Sequence, residues 1–317
     1  MSRAGWLLTA GVAAFGAANL LGFLHAGAMT TFVDQGERTP PPEALGGVQK
    51  LKVLLTGVRV PRPMPSRSPA DFGLEAVEHT LPGDPHLTLW HLPVADHKGL
   101  VLLAHGYAAA RDQLLETAAA LHGRGWSVVM MDQRGSGGSG GSTTTLGYRE
   151  AEDIAAVAAW AAQSLNEPDP VLYGFSMGAA SSLRAAGVLG VPARAVVIEA
   201  CFDRMVVTAR RRFHTMGLPG SPGAELLVFW GGVRGRFNGL RHDPARYAAG
   251  VPAPTLVIQG NQDPRVHVED ARAIADALGD RGRLVVVDGL GHEQLAEVQP
   301  DTWRAEVGGF LDAAALR

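Results

Sequence analysis

The chain has 317 residues, 46% of them apolar, which is enough for a large core and too many for wholesale disorder. Its 28 Lys and Arg against 31 Asp and Glu leave a formal charge of −3, so nothing draws it globally to nucleic acid and no nucleic-acid partner is expected. The single cysteine, Cys201, excludes an intrachain disulfide and a CxxC metal site, and no cofactor or metal is expected.

Residues 4–33 contain no Asp, Glu, Lys or Arg. About 20 apolar residues cross a bilayer, so residues 1–33 are expected to form an N-terminal transmembrane anchor, with Asn19 and His25 as polar interruptions. The alternative is a secretory signal peptide, because Ala26-Gly27-Ala28 resembles a small-residue cleavage site. The apolar run from position 6 to 24 is long for a signal core, which favours the anchor. Arg3 and the terminal amine favour the N-terminus inside, placing the globular part outside the cytoplasm; Arg38, Lys50 and Lys52 oppose this. Cleavage of a signal would instead give a secreted protein. Ala10, Ala14, Ala18, Gly22 and Ala26 recur every four residues, as in ridges that pair membrane helices, although Ala-rich composition alone produces the same pattern.

Residues 34–71 read as a Pro-rich connector, with Pro40-Pro41-Pro42 and Pro61-Arg62-Pro63-Met64-Pro65 on either side of a short helix expected over 43–55. Residues 75–81 and 86–92 alternate polar and apolar side chains around Pro82-Gly83-Asp84-Pro85, the pattern of an edge hairpin. From Gly99 the rhythm changes. Continuous apolar runs at 100–104, 127–131, 171–173, 195–198, 255–259 and 284–287 fit strands buried on both faces. Helical patterns at 112–122, 149–164, 179–189, 268–278 and 302–315 lie between and after them. This alternation predicts an α/β fold over 72–317: a mostly parallel sheet of about eight strands with helices on both faces. Residues 203–247 interrupt it, rich in Arg and aromatics, and are expected to form a small helical cap over the C-terminal edge of the sheet.

Gly174-Phe175-Ser176-Met177-Gly178 matches Gly-x-Ser-x-Gly between a β-prone run and an Ala-rich helical pattern. A serine on so sharp a turn is strained, and Cβ atoms at Gly174 and Gly178 are expected to clash with chain passing close by. With 40 glycines in the chain the pentapeptide alone is weak, and partners elsewhere must support it. A serine hydroxyl needs a base within hydrogen-bond reach and an acid to orient that base. Asp263, just after the run at 255–259, and His292, just after 284–287, complete the chain order Ser, Asp, His. Glu199, Asp203 and, more weakly, Asp288 are rival acids. Two oxyanion donors are expected, the N–H of Met177 and that of Tyr107 or Ala108 in the loop after 100–104. His105 is expected to hold that loop's shape.

With these motifs the chain resembles the α/β-hydrolase superfamily. His105-Gly106-Tyr107, Asp132-x-Arg134-Gly135-x-Gly137, Gly174-x-Ser176-x-Gly178, Asp263 and His292 each follow a strand in the order that the family shows, over about residues 72–316. Within the superfamily it is similar to membrane-anchored bacterial serine hydrolases with the look of carboxylesterases and acyl-thioesterases. The resemblance implies Ser176 as nucleophile, His292 as base and Asp263 as orienting acid. The expected function is cleavage of a carboxylic ester or thioester through an acyl-enzyme, on a small-molecule or lipid-like acyl ester. A serine peptidase or amidase is one alternative, and a catalytically inactive membrane-tethered binding scaffold another. Gly135-Ser136-Gly137-Gly138-Ser139-Gly140 also fits the dinucleotide pattern G-x-G-x-x-G, but the next helical pattern starts near Arg149, too far for its N-terminus to hold a pyrophosphate.

Overall fold

The computed structural model describes residues 2–315. Helices α1 (Arg3–Thr30) and α2 (Gly47–Thr56) precede strands β1 (Val77–Leu81), β2 (Leu87–Leu92) and β3 (Leu100–Ala104). Next come α3 (Leu115–His122), β4 (Ser127–Met131), α4 (Glu150–Trp160), β5 (Val171–Phe175), α5 (Met177–Gly187) and β6 (Ala195–Glu199). Then α6 (Met205–Thr215), α7 (Gly223–Gly235), α8 (Pro244–Ala249), β7 (Thr255–Gly260), α9 (Val268–Leu278) and β8 (Gly282–Val287) follow. The chain closes with α10 (Leu295–Val298), α11 (Pro300–Trp303) and α12 (Gly309–Ala315). Two compact units result. One holds the residues up to Pro61 with Met205–His242, and the other Arg62–Arg204 with the residues from Asp243 on.

The second unit is built on an eight-stranded sheet in the order β1-β2-β4-β3-β5-β6-β7-β8. β1 and β2 pair antiparallel at one edge, β2 pairs antiparallel with β4, and all later pairs are parallel. The five-residue runs of β3, β4, β5 and β6 are buried throughout, because helices cover both faces and leave no side to water. β1 is largely exposed and alternates, as an edge strand does. Leu103, Val128, Tyr173, Val197 and Leu256 from the sheet pack with Leu115 and Leu121 of α3 and with Trp303 and Leu311 near the C-terminus. Burying one such side chain stabilises the fold by about 1.5–3 kcal/mol. The chain leaves β3 toward β4 and then returns past β3 to β5, so the strand order reverses between β3 and β5. Open α/β sheets gather ligands at such a crevice, outside the carboxyl ends of their strands.

The first unit joins segments about two hundred positions apart. α1 runs beside α7: a Cβ at Gly22 would lie 3.2 Å from Trp230 Cδ1, and Trp230 meets Phe23 edge-on with ring centres 5.4 Å apart. Trp230 Nε1 donates to Asn19 Oδ1 at 3.2 Å, so the polar residue in the apolar run has a partner. α6 and α7 pack through Ala209, Ala224, Val228 and Phe213. The helix expected over 43–55 is split into a single turn at Pro42–Ala44 and then α2. Gly46, extended at φ −74° and ψ 167°, separates them, and its N–H donates to Gln49 Oε1 at 2.9 Å. Likewise, regular helix in the 112–122 region begins only at Leu115, after a tighter turn at Arg111–Leu114.

Candidate active site

Ser176 sits between β5 and α5 at φ 52° and ψ −109°, a backbone state that non-glycine residues rarely adopt. Such strain costs of order 1–3 kcal/mol and persists only where the surroundings enforce it. Here the backbone enforces it from two sides. A Cβ at Gly174 would lie 2.3 Å from the Gly178 carbonyl carbon, and one at Gly178 only 2.0 Å from the Ala104 oxygen. Both positions therefore require glycine, and the turn is pressed onto the exit of β3. Ser176 N–H donates to Glu199 O at 2.8 Å, tying the turn to β6 as well.

His292 Nε2 lies 3.2 Å from Ser176 Oγ, and its Nδ1 lies 2.7 Å from Asp263 Oδ2. A carboxylate can only accept, so Nδ1 carries the proton and Nε2 is left to accept from the serine hydroxyl. The ring rests against Phe175, with ring centres 5.3 Å apart. Asp263 is buried. Its Oδ1 accepts from the N–H groups of Arg265 at 2.8 Å and Val266 at 3.0 Å, and its Oδ2 also faces Gln259 Nε2 at 3.3 Å. Burial pushes this carboxyl up, but the His292 hydrogen bond and charge, with the two backbone donors, outweigh it and hold the group below the ordinary carboxylate range.

The rival acids are occupied elsewhere. Glu199 accepts from the Tyr173 hydroxyl through Oε1 and from Leu295 N–H at 3.0 Å through Oε2. Burial raises its pKa, only partly offset by those two donors. Asp203 lies 3.1 Å from Arg204 Nε; burial and then the neighbouring Asp270 carboxyl push its pKa up. Asp288 accepts from Asn261 Nδ2 at 2.8 Å.

Met177 is the first residue of α5, where backbone N–H groups lack intrahelical partners and the helix presents its positive end. Tyr107 follows β3, which pairs in parallel with β5 so that Ala104 stands beside Gly174. The two backbone segments are thus neighbours. His105 is fully buried; its Nδ1 donates to Gly106 O at 2.8 Å and its Nε2 accepts from Gln133 N–H at 3.0 Å. Burial lowers its pKa, consistent with a neutral ring holding two loops together. The Gln133 partner of His105 and the Tyr173–Glu199 pair are not legible in the sequence, because each joins residues on or just after different strands.

The glycine-rich loop at 135–140 is turned against itself. The N–H groups of Gly135, Ser136, Gly137, Gly138, Ser139 and Gly140 all donate to protein acceptors, Asp132 Oδ2 among them. Its carbonyls meet Arg62, which donates to Gly137 O at 3.0 Å, Gly141 O at 2.6 Å and Ser139 O. A phosphate cradle needs the opposite polarity.

Residues 95–207 match the family described as serine aminopeptidase S33, and residues 238–316 the family described as TAP-like protein. An uncharacterised protein of Mycobacterium tuberculosis is 33% identical over 236 residues, covering 73% of this chain and 76% of its own length. The uncharacterised YqkD protein of Bacillus subtilis is 24% identical over 228 residues, covering 70% of this chain and 74% of its own length. Among solved structures, an esterase of Pyrococcus furiosus aligns with a TM-score of 0.66 at 23% identity, over 80% of this chain and 96% of that one. A bacterial membrane phospholipase A aligns with a TM-score of 0.57 at 19% identity, over 75% and 86%.

Proposed function

The chain belongs to the α/β-hydrolase superfamily, and on that footing we propose that it is a serine hydrolase cleaving carboxylic esters or thioesters through an acyl-enzyme. One observation carries the reading: the hydrogen-bonded relay from Ser176 through His292 to Asp263, on a strained turn that two glycines permit. Ser176 Oγ attacks the acyl carbon as its proton passes to His292 Nε2. The imidazolium that forms is held by Asp263 and then protonates the leaving alcohol or thiol. Water, deprotonated by the same nitrogen, releases the acid. The N–H groups of Met177 and Tyr107 are assigned to the oxyanion, where one such donor supplies about 2.7–4 kcal/mol of barrier lowering.

Membrane attachment through α1 is part of the proposal. Ala4–Thr30 is 27 residues long and apolar enough to cross a bilayer. Ala26 of the signal-like triplet is buried, and a Cβ at Gly27 would lie 2.9 Å from the Arg234 guanidinium carbon. A helix packed in this way into the fold argues for a retained anchor rather than a cleaved signal. The proposed location of the sheet unit is outside the cytoplasm, from Arg3 ahead of the apolar run.

The test is labelling of the purified full chain with a fluorophosphonate, followed by a series of p-nitrophenyl esters. Ser176→Ala is expected to abolish both labelling and turnover while leaving the melting temperature near that of the parent. Labelling that persists in that variant rejects the nucleophile. The aminopeptidase description of one matching family favours a second reading, amide cleavage. Faster turnover of peptide anilides than of esters would select it.

A further inference from the structure

α2 turns an apolar face outward. Val48, Leu51 and Leu55, spaced i, i+3 and i+7, are 86%, 57% and 73% exposed. Val53 and Leu54 on its other side are half-buried, and Lys50 Nζ donates to Thr215 O at 2.6 Å. A surface helix of a water-soluble unit shows the reverse arrangement, with apolar residues in and charges out. The position of α2 along α1 is fixed. His25 Nε2 donates to Leu54 O at 3.0 Å, and a Cβ at Gly57 would lie 3.2 Å from Ala28 Cβ. α2 therefore sits beside the last turns of α1.

The first half of α1 is bare: Leu7, Leu8, Val12 and Phe15 are all exposed, whereas Asn19, Gly22, Phe23 and Gly27 stand against Trp230 and Arg234 of α7. Counting about 20 residues from Ala4, the length that crosses a hydrocarbon core, ends at Phe23. At that level stand Trp230, edge-on to Phe23, and Arg234, whose guanidinium carbon is 5.1 Å from the Phe23 ring centre. Tryptophan and cationic side chains collect at a membrane–water boundary. α7 also exposes Phe229 (46%) and Val233 (48%), one turn apart. Two outward apolar helix faces thus gather where α1 would leave the hydrocarbon. Lys52, Arg234 and Arg236, all exposed, lie on the same two helices or just after them.

We propose that this helical unit seats in an anionic phospholipid surface. Val48, Leu51 and Leu55 of α2, with Phe229 and Val233 of α7, sink into the headgroup layer of the bilayer that α1 enters. Lys52, Arg234 and Arg236 meet lipid phosphates. Lys52 shares the outward face of Val48 and Leu55, where a long cationic side chain keeps its stem against apolar surface and reaches a phosphate with its tip. The inference rests on α1 entering a bilayer and is independent of the chemistry at Ser176.

The experiment uses the full chain reconstituted into mixed phosphatidylcholine and phosphatidylglycerol vesicles. Leu8→Cys, Leu51→Cys, Leu55→Cys, Phe229→Cys and Asp280→Cys are each labelled with an NBD fluorophore, and spin-labelled lipids serve as quenchers. Native Cys201 is buried, and the unmodified chain gives the background. Labels at 8, 51, 55 and 229 are expected to be quenched several-fold more strongly than the label at 280. Quenching at 8 alone overturns the proposal and leaves the anchor standing. No quenching at 8 removes anchor and proposal together. A blue-shifted label at 51 that lipid does not quench means that a second copy covers the face, and this also overturns it. In phosphatidylcholine alone, quenching at 51 should weaken; unchanged quenching overturns the assignment of the three cationic side chains to lipid phosphates.

Discussion

Replacing Asp263 by asparagine forces a choice of amide orientation that the surrounding donors have already made. Oδ1 accepts from two backbone N–H groups, Arg265 at 2.8 Å and Val266 at 3.0 Å, so the amide oxygen must take that place. The NH2 then points at His292 Nδ1, now 2.7 Å from a carboxylate oxygen, and that nitrogen can only accept from it. The ring proton moves to Nε2, which no longer takes a proton from Ser176. In serine-hydrolase triads this exchange lowers kcat about 10⁴-fold, which at about 1.36 kcal/mol per tenfold is about 5.4 kcal/mol of barrier. The assay is kcat/KM on a p-nitrophenyl ester at neutral pH, with a thermal melt to show that the variant folds. The stability profile gives an independent reading. Asp263 is held below the ordinary carboxylate value of about 3.9. Its favourable contribution is therefore present above that value and lost as pH falls through the lower folded one, and Asp263→Asn should lack this acid limb. A folded Asp263→Asn enzyme within tenfold of the parent would refute the reasoning, most clearly if Glu199→Gln, Asp203→Asn or Asp288→Asn were crippled instead.

Gly178→Ala places a methyl 2.0 Å from the Ala104 oxygen and 2.8 Å from the His105 oxygen, backbone atoms that cannot swing aside, and should destabilise by about 3 kcal/mol or more in urea unfolding. Gly309→Ala, at helical φ −63° with open space around its Cβ, should instead stabilise by about 0.5–1 kcal/mol in the same assay. Glu199→Ala strands the Leu295 N–H and the Tyr173 hydroxyl and should cost about 1–3 kcal/mol for each group left unpaired. Glu199→Gln keeps an acceptor and removes a titration. Because burial raises this carboxyl in the folded state, parent stability should fall as pH rises from the ordinary carboxyl value to the raised one, and that limb should vanish in Glu199→Gln. Gly22→Leu drives a side chain toward Trp230 Cδ1, 3.2 Å from the Cβ position, and should speed hydrogen exchange across α7 in detergent micelles; unchanged protection would mean that the contact is slack.

The sequence by itself determined the local elements and marked the candidate site residues. Runs such as Leu100–Ala104 are apolar at every position because both sheet faces are covered, and a continuous run is visible without knowing its neighbours. The Gly-x-Ser-x-Gly turn was legible for a similar reason, since a strained serine between two glycines is a property of five adjacent residues. Only the tertiary structure decided which carboxylate faces the imidazole. Asp263, Glu199, Asp203 and Asp288 all lie at or just past strand ends, and what separates them is the partners that strand order and loop closure bring to each. The joining of α1 to α7 was equally hidden. Asn19 and Trp230 read as an interruption in an apolar run and an aromatic in an insertion until folding places them 3.2 Å apart. Periodicity records which way each side chain faces along its own element, whereas the pairing of elements depends on contacts between distant positions, which no window along the chain contains.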